Sequence, residues 1–376
     1  MSAIYIHIPY CKTKCPYCDF FSVTNRQDES YFIKALLNEI SLQKDYLQNR
    51  KIQTIYFGGG TPSLLNNGDL NKIIHQLYKI FNISENAEIT IECNPDDVSL
   101  NFFKELRKAG FNRLSLGIQS FYDEDLKFLG RRHNAEQNDL AIHWALEAGF
   151  ENISIDLIYG LPGSRPEIWK GTLDKAFQYP FKHLSAYHLT IEPGTEFGEM
   201  LNRGELSELP EENSLEQFRM LIDVAEDRGF EHYELSGFAL PGYYSRHNTG
   251  YWMQRPYLGL GPSAHSYNCQ TRQWNISNIK LYYESVLKGK IPFKQEILTT
   301  KDHFNEYLIT RLRTQWGADL AQIRNKFGSD YKDYILRATR PFLDNSYMKR
   351  NGDILTLTRE GKFISDAIFR EMVLGE

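Results

Sequence analysis

The chain has 376 residues, 41% of them hydrophobic and 24% charged, with 43 basic against 48 acidic side chains and a formal net charge of −5. That balance leaves no electrostatic footprint for nucleic acid, no stretch approaches the roughly 18 apolar residues of a membrane span, and five cysteines are too sparse for a disulfide framework. The length suits one large domain plus an appendage, and 23 Tyr with 23 Phe suit a flat conjugated ligand as well as an ordinary core.

Short β-branched or apolar runs alternate with segments of helical period, the pattern of a parallel sheet covered by helices. Six strands are predicted: Ile4–Ile8, Thr54–Phe57, Glu88–Glu92, Arg113–Ile118, Ile153–Ile158 and His183–Leu189. Amphipathic stretches such as Glu29–Leu47, Asp69–Phe81 and Gln137–Ala148 separate them. Six such units make an α/β fold, an open partial (β/α)6 barrel whose active site is expected at the C-terminal strand ends. Past Thr299, helical periods over Asp302–Gln315 and Ala318–Phe327, a hairpin at Asn351–Gly352 and a helix opened by Thr358 predict a small helical, winged-helix-like domain. Its 13 basic and 11 acidic residues from Lys301 onward argue for a cap or docking surface rather than DNA binding. Three units follow: 1–235 as barrel with an N-terminal cysteine loop, 236–298 as an aromatic and glycine-rich region packing on it, and 299–376 as the small C-terminal domain.

Cys11, Cys15 and Cys18 stand directly behind the first strand. Three thiolates from one short loop can hold three irons of a 4Fe-4S cube and leave the fourth iron open to an exchangeable ligand. Structural zinc wants four closed ligands, and the remaining Cys93 and Cys269 are distant, reading as small core residues.

The run YIHIPYCKTKCPYCDFFS, Tyr5 to Ser22, resembles the signature of radical S-adenosylmethionine (SAM) proteins, and among them the coproporphyrinogen oxidase-like branch. The resemblance implies that the open iron chelates the amino and carboxylate groups of SAM, and that an electron from the cluster can cleave the sulfonium to a deoxyadenosyl radical. It places Tyr5 with the SAM-binding residues. Gly58–Gly59–Gly60–Thr61, after the second strand, resembles the glycine motif that meets the amino group, so Gly59, Gly60 and Thr61 join them. Glu92 has the place of a ribose-binding carboxylate, or is a solvated loop acid. Gln119, Arg131 and Asp156 match residues associated with a second SAM; Arg131 and Asp156 would equally serve as halves of an internal salt bridge. His188, on the sixth strand, either faces a ligand or packs.

Beyond the barrel, His247–Asn248–Thr249–Gly250–Tyr251–Trp252 resembles the HNxxYW motif that marks HemW-type heme chaperones. The resemblance makes His247 the candidate haem ligand, with aromatic rings over the porphyrin and Arg246 or Arg255 at a propionate. The oxygen-independent coproporphyrinogen III oxidase carries a fourth cysteine two positions past the third, where this chain has Phe20, and a longer N-terminal segment than the ten residues before Cys11. The expected protein is therefore a cytoplasmic heme chaperone that holds a 4Fe-4S cluster, SAM and haem and passes haem to an acceptor, by resemblance a respiratory, membrane-bound one. A homodimer is left open. The alternative is a radical enzyme acting on a tetrapyrrole, as a coproporphyrinogen dehydrogenase or a porphyrin-modifying methyltransferase.

Overall fold

The computed structural model describes residues 2–48 and 50–375. Six parallel strands run in sequence order, β1 (Ser2–Ile8), β2 (Ile52–Gly59), β3 (Ile83–Cys93), β4 (Arg113–Gln119), β5 (Asn152–Tyr159) and β6 (His183–His188). Helices cross between them, among them Glu29–Leu42, Asn67–Ile80, Leu100–Lys108, Ala135–Glu147 and Pro166–Ala176. Local chemistry fixes their starts: the side chains of Asn66 and Ser99 accept from backbone N–H groups in the first turn, and Asn134 with Gln137 forms a capping box. The first helix stops at Leu42, short of the expected Leu47, because Leu47 plugs the core from a turn that leads back to β2.

β4 shows how the two faces of the sheet divide. Leu114, Leu116 and Ile118 are fully buried in the apolar layer under the helices. Arg113, Ser115, Gly117 and Gln119 alternate with them and line the barrel's interior. The parallel register then places inward residues of neighbouring strands side by side, Tyr5 by Tyr56, Glu92 by Ser115 and Asp156 by Ser185.

The sheet is wider than six strands. β7 (Glu231–Glu234) and β8 (Gly237–Ala239) add antiparallel beyond β6. β9 (Tyr257–Leu260) pairs in parallel with β1, and β10 (His265–Tyr267), β11 (Thr271–Asn275) and β12 (Phe293–Ile297) follow it antiparallel, giving twelve strands. Much of the aromatic and glycine-rich stretch is thus woven into the barrel's own sheet. After it, a three-stranded sheet of β13 (Ala318–Asp319), β14 (Met348–Asn351) and β15 (Ile354–Leu357) meets helices Thr300–Leu312, Leu320–Phe327 and Ser329–Asp344 around a separate apolar cluster that includes Phe304, Leu308, Ile335 and Leu355. Arg313 fastens this unit to the barrel, 3.9 Å over the ring of Trp252 and 3.4 Å from the carboxylate of Glu234. No described helix is long and apolar enough to cross a membrane.

Candidate functional site

At the C-terminal ends of the parallel strands lies a cavity of about 450 Å³. Cys11, Cys15 and Cys18 border it, as do Gly59, Gly60 and Thr61 after β2. Glu92, Gln119, Arg131 and Asp156 complete the sequence-predicted set that the fold brings together. His188 also lines it, its Nε2 3.0 Å from the Ser214 hydroxyl. Tyr5 and His247 are not on its wall.

The cysteine loop is held by its surroundings. Cys11 N–H donates to Val23 O at 3.0 Å, and Cys18 N–H to Cys15 O at 3.1 Å. Thr61 Oγ1 donates to Cys11 Sγ at 3.4 Å, and Arg131 Nη1 to Cys15 Sγ at 3.7 Å. Burial pushes the Cys18 thiol up to about 11, and the nearby Cys15 and Cys11 add to the rise. Among the described residues no three His, Cys, Asp or Glu side chains surround one point as ligands of a single metal ion do. A cube that gives each thiolate its own iron does not ask for that convergence. Cys93 is buried, whereas Cys269, expected in the core, is exposed in the turn between β10 and β11 at φ +76°.

The glycines beside the loop pack closely against the first strand and the chain that leads to Cys11. Gly59 sits at φ +109°, where a β-carbon would meet His7 Nδ1 at 2.6 Å; at Gly60 it would meet Tyr10 O at 2.7 Å. Gln119 closes β4 at φ +65°, a left-handed conformation that a non-glycine residue holds at a cost of about 1–3 kcal/mol and that recurs where side chains are aimed at ligands. Arg131 Nη2 donates to Asn94 Oδ1 at 2.5 Å and to Gly117 O at 3.2 Å, so one guanidinium ties the cysteine loop to β3 and β4. Neither Arg131 nor Asp156 is half of a salt bridge among the described residues.

Deeper in, Tyr56 donates its hydroxyl to Glu92 Oε1 at 2.8 Å. Burial still pushes the Glu92 carboxyl up to about 7. Asp156 accepts from Ser115 Oγ at 2.9 and 3.0 Å and from Ser154 Oγ at 3.2 Å, yet burial raises its carboxyl as well. Tyr5 stands behind this wall, stacked on Tyr56 at 6.2 Å with its hydroxyl 3.2 Å from His7 Nδ1. Sequence reasoning missed Tyr56, Asn94, Ser115 and Arg113. The inward alternation of Arg113, Ser115, Gly117 and Gln119 is the signal that would have found two of them.

His247, the candidate haem ligand, is a buried ring. It is 1% exposed at the start of helix Arg246–Trp252, beneath the barrel. Its Nδ1 lies 2.8 Å from Thr54 Oγ1 and its Nε2 2.8 Å from Tyr251 Oη, so both ring nitrogens are engaged. Glu88 accepts from the backbone N–H of Arg246 and His247, at 3.2 and 3.1 Å, and holds the helix start against β3. Arg246, expected at a propionate, instead donates to Asn86 O and Gln53 Oε1. Of the motif, Asn248 reaches the cavity.

An open parallel barrel with a three-cysteine loop over its strand ends defines a radical SAM protein, and the family model described as the radical SAM superfamily matches residues 5–176. The model of the HemN C-terminal domain matches residues 298–364. The structure of coproporphyrinogen III oxidase (HemN) from Escherichia coli superposes with a TM-score of 0.86 over 99% of this chain and 90% of that one, at 24% identity, a likeness of fold. The chain is 32% identical to the heme chaperone HemW of Bacillus subtilis over 100% of both chains, and 32% identical to the heme chaperone HemW of Escherichia coli over 100% of this chain and 98% of that one. It belongs to the HemW family. Membership of the radical SAM superfamily implies a 4Fe-4S cluster and SAM. The residues present suit both: three partly exposed thiols border one cavity, and the glycine cradle beside them has no room for a β-carbon.

Proposed function

We propose that this protein carries haem to an acceptor protein, with a 4Fe-4S cluster on Cys11, Cys15 and Cys18 and SAM held by Gly59, Gly60, Thr61, Glu92, Gln119, Arg131 and Asp156. The observation that carries the reading is similarity over the whole chain to relatives named heme chaperones. Bound, the cluster would supply a site for SAM and a reducing electron. The chain's own part is positional. Gly59 and Gly60 offer backbone at close range, Arg131 keeps Cys15 in register with Asn94, and Tyr56 fixes the Glu92 carboxyl for a hydroxyl of the ligand. In this reading Tyr5 acts as backing for Tyr56.

Carriage rather than turnover is supported by Phe20, 65% exposed where the oxidase resemblance places a fourth cysteine. Haem is assigned to the neighbourhood of His247 by the motif alone, and iron ligation there requires release of the Tyr251 or Thr54 hydrogen bond. A respiratory haem protein in the membrane is the acceptor class the reading favours, with the carrier itself in the cytoplasm.

The test is an anaerobic haem titration of cluster-reconstituted protein, followed by mixing with an acceptor apoprotein. A saturable Soret band that moves to the acceptor is expected. A parallel incubation with reductant, SAM and coproporphyrinogen is expected to yield no matched methionine, deoxyadenosine and decarboxylated product. Formation of all three would replace carriage with tetrapyrrole oxidation.

A further inference from the structure

The floor of the cavity holds a cation without a partner among the described residues. Arg113, the first residue of β4, is 1% exposed and its side chain lines the cavity. Its side chain takes part in no hydrogen bond or ion pair among the described residues, and its Nε is a buried polar atom without a partner. Thr90, its register partner on β3, has an equally unpartnered Oγ1. A buried guanidinium without a counter-charge is strongly destabilising, so such a group implies a missing partner.

The acids whose charge Arg113 feels make no hydrogen bond or ion pair with it among the described residues. Glu92 accepts from Tyr56, and Asp156 accepts from Ser115 and Ser154. Burial raises both carboxyls above their ordinary range, Glu92 to about 7. Water could fill hydrogen bonds but would leave the charge unmatched. Ser115, Gly117 and Gln119 follow Arg113 on the same strand face and line the cavity with it. A free planar fork on that wall fits a carboxylate.

We propose that Arg113 anchors a carboxylate of the molecule that occupies this cavity. The inference rests on the function proposed above, whose two ligands both carry that group, SAM at its amino-acid end and haem on its propionates.

The experiment uses the full-length, cluster-reconstituted protein and two ligand pairs: haem with its dimethyl ester, and SAM with decarboxylated SAM. In one pair at least, wild type is expected to bind the acid about tenfold or more tightly than its carboxylate-free partner. Arg113→Met is expected to erase that preference by weakening the acid alone, and the pair affected identifies the source of the carboxylate. Preferences that survive Arg113→Met in both pairs, as those due to iron alone would, overturn the proposal. So does the absence of any preference in wild type, a comparison that needs no variant. Should Arg113→Met fail to fold, Arg113→Lys keeps the charge, loses the fork and is expected to retain part of the preference; an unchanged preference there overturns the proposal. Wild type that binds neither haem nor SAM overturns the carrier reading itself, a result visible before any variant is compared.

Discussion

The imidazole of His247 lies face to face with the phenol of Tyr56, ring centroids 5.0 Å apart at 29°. Tyr56 then donates to Glu92 across the floor of the cavity. The HNxxYW motif therefore supports, from beneath the barrel, the acid that the proposed function gives to SAM. Through Trp252 and Arg313 it also reaches the C-terminal domain.

His247→Ala should lower stability by about 2–4 kcal/mol, because it removes a packed ring and leaves the hydroxyls of Thr54 and Tyr251 short of partners. It should also weaken SAM binding several-fold as Tyr56 loses its backing. His247→Phe keeps a stacked ring without the hydrogen bonds, so it should recover most of the affinity and only part of the stability. Melting curves and SAM calorimetry on the two variants separate this from haem ligation, which would remove the Soret band equally in both.

The Glu92 carboxyl should make the cofactor-free fold weaken with rising pH. Its folded pKa, about 7, lies above the ordinary 4.5, so the native state holds the proton more tightly than the unfolded chain. Its stabilising share is fully present below the unfolded value and is lost as pH climbs through the folded one. The loss is on the order of 3 kcal/mol. Glu92→Gln should flatten the change, read as the difference in urea midpoint between about pH 5 and pH 8. An unaltered difference in the variant would assign the pH dependence to other groups.

How far the sequence could be read followed the physics of each element. The six parallel strands were legible because a sheet buried on both faces writes apolar runs and glycine turns into the chain, as at Ile52–Gly59. β10 and β12 were not: one has three residues, and all five residues of the other are exposed, so neither carries a burial pattern. The cysteine loop came from its spacing and Glu92 from the family resemblance, and the fold sets both at one cavity. The motif around His247 told which residues gather there but not where the ring nitrogens point. Arg113 was hidden because an arginine opening a strand looks like a solvent-facing rim until the barrel's curvature turns that face inward.

Replacing Cys11, Cys15 or Cys18 by Ala should abolish iron and acid-labile sulfide after anaerobic reconstitution. Cys93→Ala and Cys269→Ala should leave both at wild-type levels, since one thiol sits inside the core and the other in an exposed turn. Iron retained in any of the first three variants would mean that the loop is not the cluster's seat.

Gly60→Ala tests whether the glycine turn and the cysteine loop act as one cradle. The backbone N–H of Gly60 donates to Ile8 O at 2.8 Å, and a β-carbon there would lie 2.7 Å from Tyr10 O, one residue before Cys11. The clash is with backbone on both sides, so relief requires the two loops to part. The expected cost is about 1–3 kcal/mol in stability, with at least a tenfold loss of SAM affinity. Gly110→Ala is the matched control. That glycine has positive φ, +97°, which Gly60 does not, and nothing stands within 4 Å of an added β-carbon. It should therefore show backbone strain of about 1–2 kcal/mol and wild-type affinity. Equal affinity losses in both variants would trace the effect to general destabilisation and remove the cradle from the account.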